Sequence, residues 1–158
     1  MPKFLTDPAA QKFIDQIGQP FKNVPHLPKD IVDFLVVITP WLALIGGVSS
    51  ILGAISTASS GSALNRMGAI VGVHTGFSGY MLVTAIFALI IAALLLMAFS
   101  LLKKKAKTGW TYLFWTNVVG IIQSIVYLIL WQSGIVSMIL GAIIGFYILF
   151  EIRPQYKN

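Results

Sequence analysis

Apolar positions in this chain fall into four long blocks separated by short polar stretches, and a segment with a different rhythm precedes them. Across residues 1–21, Ala9, Ala10, Phe13, Ile14 and Ile17 recur at helical spacing, while Gln11, Lys12, Asp15 and Gln16 take the opposite face. That pattern predicts a short amphipathic helix with Thr6 as N-cap, Asp7 and Pro8 in its first turn, and Gly18 and Pro20 at its end. Such a helix either lies in the membrane interface as an anchor or packs on the edge of a bundle. Pro25 and Pro28 then favour extended backbone, a stiff connector in which His26 is solvated.

The four apolar blocks predict transmembrane helices at about 31–56, 80–102, 110–131 and 135–152. The first starts at a candidate cap, Asp30, with Asp33 at headgroup level. Pro40 lies inside it, where a missing N–H should kink the helix and the Thr39 hydroxyl can help satisfy freed backbone. Between the first two blocks, residues 57–78 read as a connecting region rich in Ser, Gly and Ala. Within it, residues 63–73 are too apolar for a free loop and too short to span, the profile of a re-entrant or interfacial segment. From Trp110 to Trp131 the third block rises roughly 32 Å at 1.5 Å per residue, matching the hydrocarbon core with a tryptophan near each boundary. Gln132, Ser133 and Gly134 predict a tight turn that makes the third and fourth spans a hairpin.

Composition agrees with this division. Of 158 residues, 57% are hydrophobic and 10% charged, and the mean hydropathy is +0.86; a water-soluble domain carries about 25% charged residues. The expected fold is therefore an all-α membrane protein of four transmembrane helices (residues 30–158), preceded by a cytoplasmic amphipathic helix and proline-rich connector (residues 1–29). The early run of Asp and Pro does not resemble a cleavable signal, so insertion is expected to rest on the first span.

Charge sets the orientation. The basic knot Lys103, Lys104, Lys105 and Lys107 separates the second and third spans. Four spans place it beside both termini, and ten of the eleven Lys and Arg residues then share one side, with Arg66 alone opposite. Positive residues stay inside, which predicts both termini in the cytoplasm of a bacterial inner membrane, with the knot meeting anionic headgroups of the lipid bilayer. The basic residues flank apolar spans and form no stripe interleaved with aromatics, so nucleic acid is not an expected partner.

Candidate chemistry is sparse. With no cysteine, disulfides and thiolate sites are excluded. The five acids, Asp7, Asp15, Asp30, Asp33 and Glu151, fall at or outside the cytoplasmic boundary, leaving no intramembrane acid pair or proton relay. No catalytic motif, metal set or cofactor loop is present, and the chain is not expected to be an enzyme. Two polar groupings remain. Thr116, Asn117, Gly120, Gln123, Ser124 and Tyr127 recur three or four apart and share a face of the third span; they serve either interhelical hydrogen bonding or a solute pathway. Arg66 and His74 are the candidate outer-loop pair, an anion-attracting vestibule or simply a snorkelling Arg and a solvated His.

Small residues supply the remaining signal. Gly46-x-x-x-Ser50, Ser49-x-x-x-Gly53, the strip Thr84, Ala88 and Ala92, and the GxxxG of Gly141 and Gly145 all permit close helix contact in lipid. These faces point to a scaffold or accessory subunit, binding copies of itself or a partner membrane protein. The alternative is a small oligomeric channel or transporter lined by the third-span stripe. At residues 38–47, 109–115 and 144–150 the chain resembles small uncharacterised four-span bacterial inner-membrane proteins, a likeness that implies no activity, cofactor or site residue.

Overall fold

A computed structural model describes residues 7–71, 77–131 and 135–157. Among them there is no strand. The helices are α1 (Pro8–Gly18), α2 (Lys29–Val71), α3 (Phe77–Lys103), α4 (Lys107–Trp131) and α5 (Ile135–Ile152), with 3-10 turns at Pro20–Asn23 and Arg153–Gln155. Helices α2 to α5 are long and apolar enough to cross a membrane.

Helix α1 starts one residue later than its expected cap. Asp7, not Thr6, caps it: the Asp7 carboxylate accepts the Ala9 N–H at 3.3 Å, and Pro8 takes the first helical position, where its missing N–H costs nothing. Thr6 itself lies outside the described residues. For α2, the Pro28 carbonyl accepts the N–H groups of Ile31 and Val32, and Asp30 sits in the first turn instead of capping.

The largest departure from expectation is the length of α2. Its 43 residues rise about 64 Å, more than the ~45 Å of a whole bilayer with headgroups. It continues through Pro40, with the Thr39 hydroxyl donating to the Leu35 carbonyl at 2.6 Å. It also continues through residues 57–71, which read as a connecting region. Serine hydroxyls hold this stretch from within, Ser59 donating to the Ile55 carbonyl and Ser62 to the Ser59 carbonyl, while Met81 of α3 covers Gly61. Small polar residues that signal a loop in water are here simply helix without bulk. The re-entrant candidate 63–73 is the last helical stretch of α2 as far as Val71; residues 72–76 lie outside the described residues, as does the expected turn at 132–134.

Pairing is antiparallel between chain neighbours. Gly46 and Gly47 of α2 meet Leu95 and Leu96 of α3, and Ala43, Ala54, Ala85 and Ala92 are buried. Ser49 and Gly53 point away, exposed. The turn from α3 to α4 carries the basic knot, and its geometry is specific. Lys105 adopts φ 51°; its N–H bonds the Leu102 carbonyl and the Ala106 N–H bonds the Leu101 carbonyl, each at 2.9 Å. This is the Schellman arrangement, with lysine in the left-handed position that glycine usually takes.

The core is concentrated at this basic end. Ile14, Leu102, Trp110, Phe114 and Ile152 are fully buried there, joined by Val32, Val36, Phe146, Leu149 and Tyr156. Phe114 sits within ring contact of Phe13, Trp110, Trp115, Phe146 and Phe150. The Trp110 indole donates to the Leu149 carbonyl at 2.7 Å, in the last turn of α5, where carbonyls run out of intrahelical partners. Helix α1 packs on this cluster through Ile14, Phe13 and Gly18, so its apolar face is covered in part by the bundle edge, Ile14 fully and Phe13 left 42% exposed.

Candidate functional site

The polar stripe of α4 divides into two halves that do different things. On one side, Gln123 donates to the Tyr127 hydroxyl, which donates to the Thr84 hydroxyl of α3, both at 2.7 Å; Thr84 in turn donates to the Tyr80 carbonyl at 2.8 Å. This relay ties α3 to α4, and the Tyr80 ring lies tilted by 32° against Tyr127, centroids 5.1 Å apart. Only its Tyr127–Thr84 bond is interhelical; Gln123 supports it from within α4.

On the other side, Thr116, Asn117, Gly120 and Ser124 face α5 across a cleft of about 290 Å³, closed opposite by Met138, Gly141 and Ala142. Thr116 and Ser124 donate to carbonyls one turn back in α4, Tyr112 and Gly120, at 2.9 Å each. Asn117 Nδ2 reaches the Leu113 carbonyl at 3.4 Å. Back-bonding of this kind satisfies hydroxyls without a partner helix.

The two glycines of the GxxxG have unlike surroundings. A Cβ on Gly145 would fall 2.5 Å from Asn117 Oδ1, so its absence is what lets the Asn117 amide lie against α5. A Cβ on Gly141 would meet nothing within 4 Å, and neither would one on Gly120 across the cleft. Small residues thus leave two helix backbones bare at a place the described residues do not fill.

A second cluster, at the basic end, has no counterpart among the expected sites. His26 is not merely solvated: its Nδ1 lies 2.7 Å from Glu151 Oε1, with the His side chain 71% exposed and that of Glu151 only 9%. Arg153 Nη2 donates to Asp15 Oδ1 at 2.9 Å, and the Tyr147 hydroxyl donates to the Pro25 carbonyl at 2.7 Å. These contacts surround a pocket of about 220 Å³ between the N-terminal segment and α5. Glu151 and Arg153, expected only to lie at or outside the cytoplasmic boundary, instead clasp the N-terminal segment to the end of α5. Their separations, 125 and 138 residues, leave no local pattern to read.

The remaining candidates are dispersed. Lys104, Lys105 and Lys107 are exposed, while the Lys103 ammonium lies 5.5 Å from the Trp41 ring and 5.6 Å from Phe99, a lysine stem running along apolar surface to a boundary. Arg66 is exposed on the far part of α2; His74 lies outside the described residues. No protein-family model matches this chain, and no curated protein or solved structure is similar to it.

Proposed function

We propose that this chain is a membrane scaffold or accessory subunit that acts by binding, taking a transmembrane helix of a second copy or of a partner protein into the cleft between α4 and α5. The observation that carries this reading is the pair Gly120 and Gly141 on facing helices, where an added Cβ would meet none of the described residues within 4 Å. In lipid, helices associate through close backbone approach, and glycine is what permits it. The hydroxyls in the same cleft already bond within α4, so an entering helix need not supply partners for them.

Gly120→Leu with Gly141→Leu would fill the cleft. Native mass spectrometry of the protein extracted from its own membrane should show the assembled species falling about tenfold or more, as expected when ~1–2 kcal/mol of helix contact is lost. Unchanged assembly by a variant with wild-type melting behaviour would sink this reading.

The channel reading rests on a narrower observation: Thr116, Asn117 and Ser124 converge on one cleft. Asn117→Leu separates the two, since lost flux with intact assembly would favour a pathway.

The proposed setting is a bacterial cytoplasmic membrane with both termini inside, supported by the ten-to-one bias of basic residues. Ser60 is exposed on α2 at the opposite end from the knot. A Ser60→Cys variant, carrying the chain's one cysteine, should react with an impermeant maleimide added outside intact cells. Labelling only after the membrane is opened would reverse the orientation.

A further inference from the structure

Beside the clasp, the first turn of α4 and the last described residues of the chain form a second pocket at the basic end, of about 440 Å³. It is lined by Lys107, Trp110, Arg153, Pro154, Tyr156 and Lys157. Three cations face it, and among the described residues no acid lines it. Asp15 accepts one N–H of Arg153 from outside the lining, and a guanidinium has five to give. The Arg153 fork is held in place, its Cζ 5.0 Å from the Trp110 ring and 5.9 Å from Phe150. The amino terminus of α4 at Lys107 adds the positive end of the helix dipole. Tyr156 is 4% exposed and its hydroxyl has no hydrogen-bond partner among the described residues. Burial pushes that hydroxyl up to about 12 from 10.0, so it stays protonated and puts no negative charge in the wall.

We propose that this pocket holds the phosphate of an anionic membrane-lipid headgroup. A planar, fixed guanidinium flanked by two mobile ammonium groups suits a phosphate with an exposed rim. Its depth argues for lipid over phosphate in solution. Trp110 opens a spanning helix, and Lys103, just before the turn, lies against Trp41 and Phe99 in the manner of a side chain at the headgroup boundary. Basic pockets between transmembrane helices are a recognised setting for anionic headgroups. This assignment goes beyond the partner-helix reading and does not depend on it, since the two sites use different residues.

The test is lipid retention by native mass spectrometry of the full chain in mild detergent, titrated with dioleoylphosphatidylglycerol or with dioleoylphosphatidylcholine. The anionic lipid should stay bound where the zwitterionic one does not. Lys107→Gln with Lys157→Gln should weaken it about thirty-fold, at roughly fivefold for each basic residue near a membrane surface. Both lysines are exposed, so folding should be untouched, and a thermal melt checks this. Lys104→Gln with Lys105→Gln removes the same charge outside the pocket and should change binding by less than about threefold through screened solvent. Equal losses in the two double variants would overturn the pocket in favour of diffuse surface charge. Equal retention of both lipids would overturn it outright. Displacement of the anionic lipid by inorganic phosphate at matched concentration would overturn the lipid as occupant in favour of free phosphate.

Discussion

Replacing Phe114 with alanine should cost about 3–5 kcal/mol of stability, the range for removing a fully buried aromatic ring. Phe114 is 0% exposed and touches rings from α1, α4 and α5 at once. Its loss therefore does more than open a cavity. The surface on which Phe13 and Ile14 rest would collapse, and α1 would leave the bundle before the spanning helices separate. Limited proteolysis in detergent, cutting near Asn23, should show α1 released while α2 to α5 stay intact. A variant that melts and resists protease like the wild type would mean that the basic-end core is not what holds α1.

The second large effect is expected at Gly109. A Cβ there would lie 2.7 Å from the Leu102 backbone nitrogen and 2.9 Å from the Leu101 carbonyl carbon, and backbone cannot swing aside as a side chain can. Gly109 is also the residue whose N–H bonds the Ala106 carbonyl at 2.9 Å as α4 begins. Gly109→Val should force α3 and α4 apart at the turn, costing about 3 kcal/mol or more, at or above the upper end of ordinary overpacking. A fall in melting temperature with loss of the Gln123–Tyr127–Thr84 relay is the expected signature. Gly53→Ala, at an exposed glycine of α2 with open space around it, is the control that should leave stability nearly unchanged.

Much of the architecture was legible in the chain because lipid imposes a length rule. Spans expected at 80–102, 110–131 and 135–152 correspond to helices Phe77–Lys103, Lys107–Trp131 and Ile135–Ile152. Residues 57–71 were misread because Ser59, Ser62 and Gly61 carry loop statistics learned in water, whereas here each hydroxyl bonds its own helix. The polar face of α4 was visible from spacing. Its division was not, since that depends on which neighbour each side chain meets: Thr84 for Tyr127, and Gly145 for Asn117. The His26–Glu151 and Asp15–Arg153 pairs were invisible for a different reason. Isolated exposed charges look alike in sequence until the fold brings them together.

That clasp also has a bearing on how the chain is made. Helices α3 to α5 each pack on the helix before them, so successive hairpins can close as the ribosome delivers them. Helix α1 is the exception: its contacts Phe114, Trp115, Phe150 and Arg153 all lie on α4 or beyond. Until α4 emerges Phe13 lacks the rings it packs on, and a chain cut short before α5 would lack Phe150 and Arg153 as well. The contact between α1 and the end of α5 thus forms only once all four long helices have been made. It separates a chain that includes α5 from one cut short before it by whether α1 is held against the bundle.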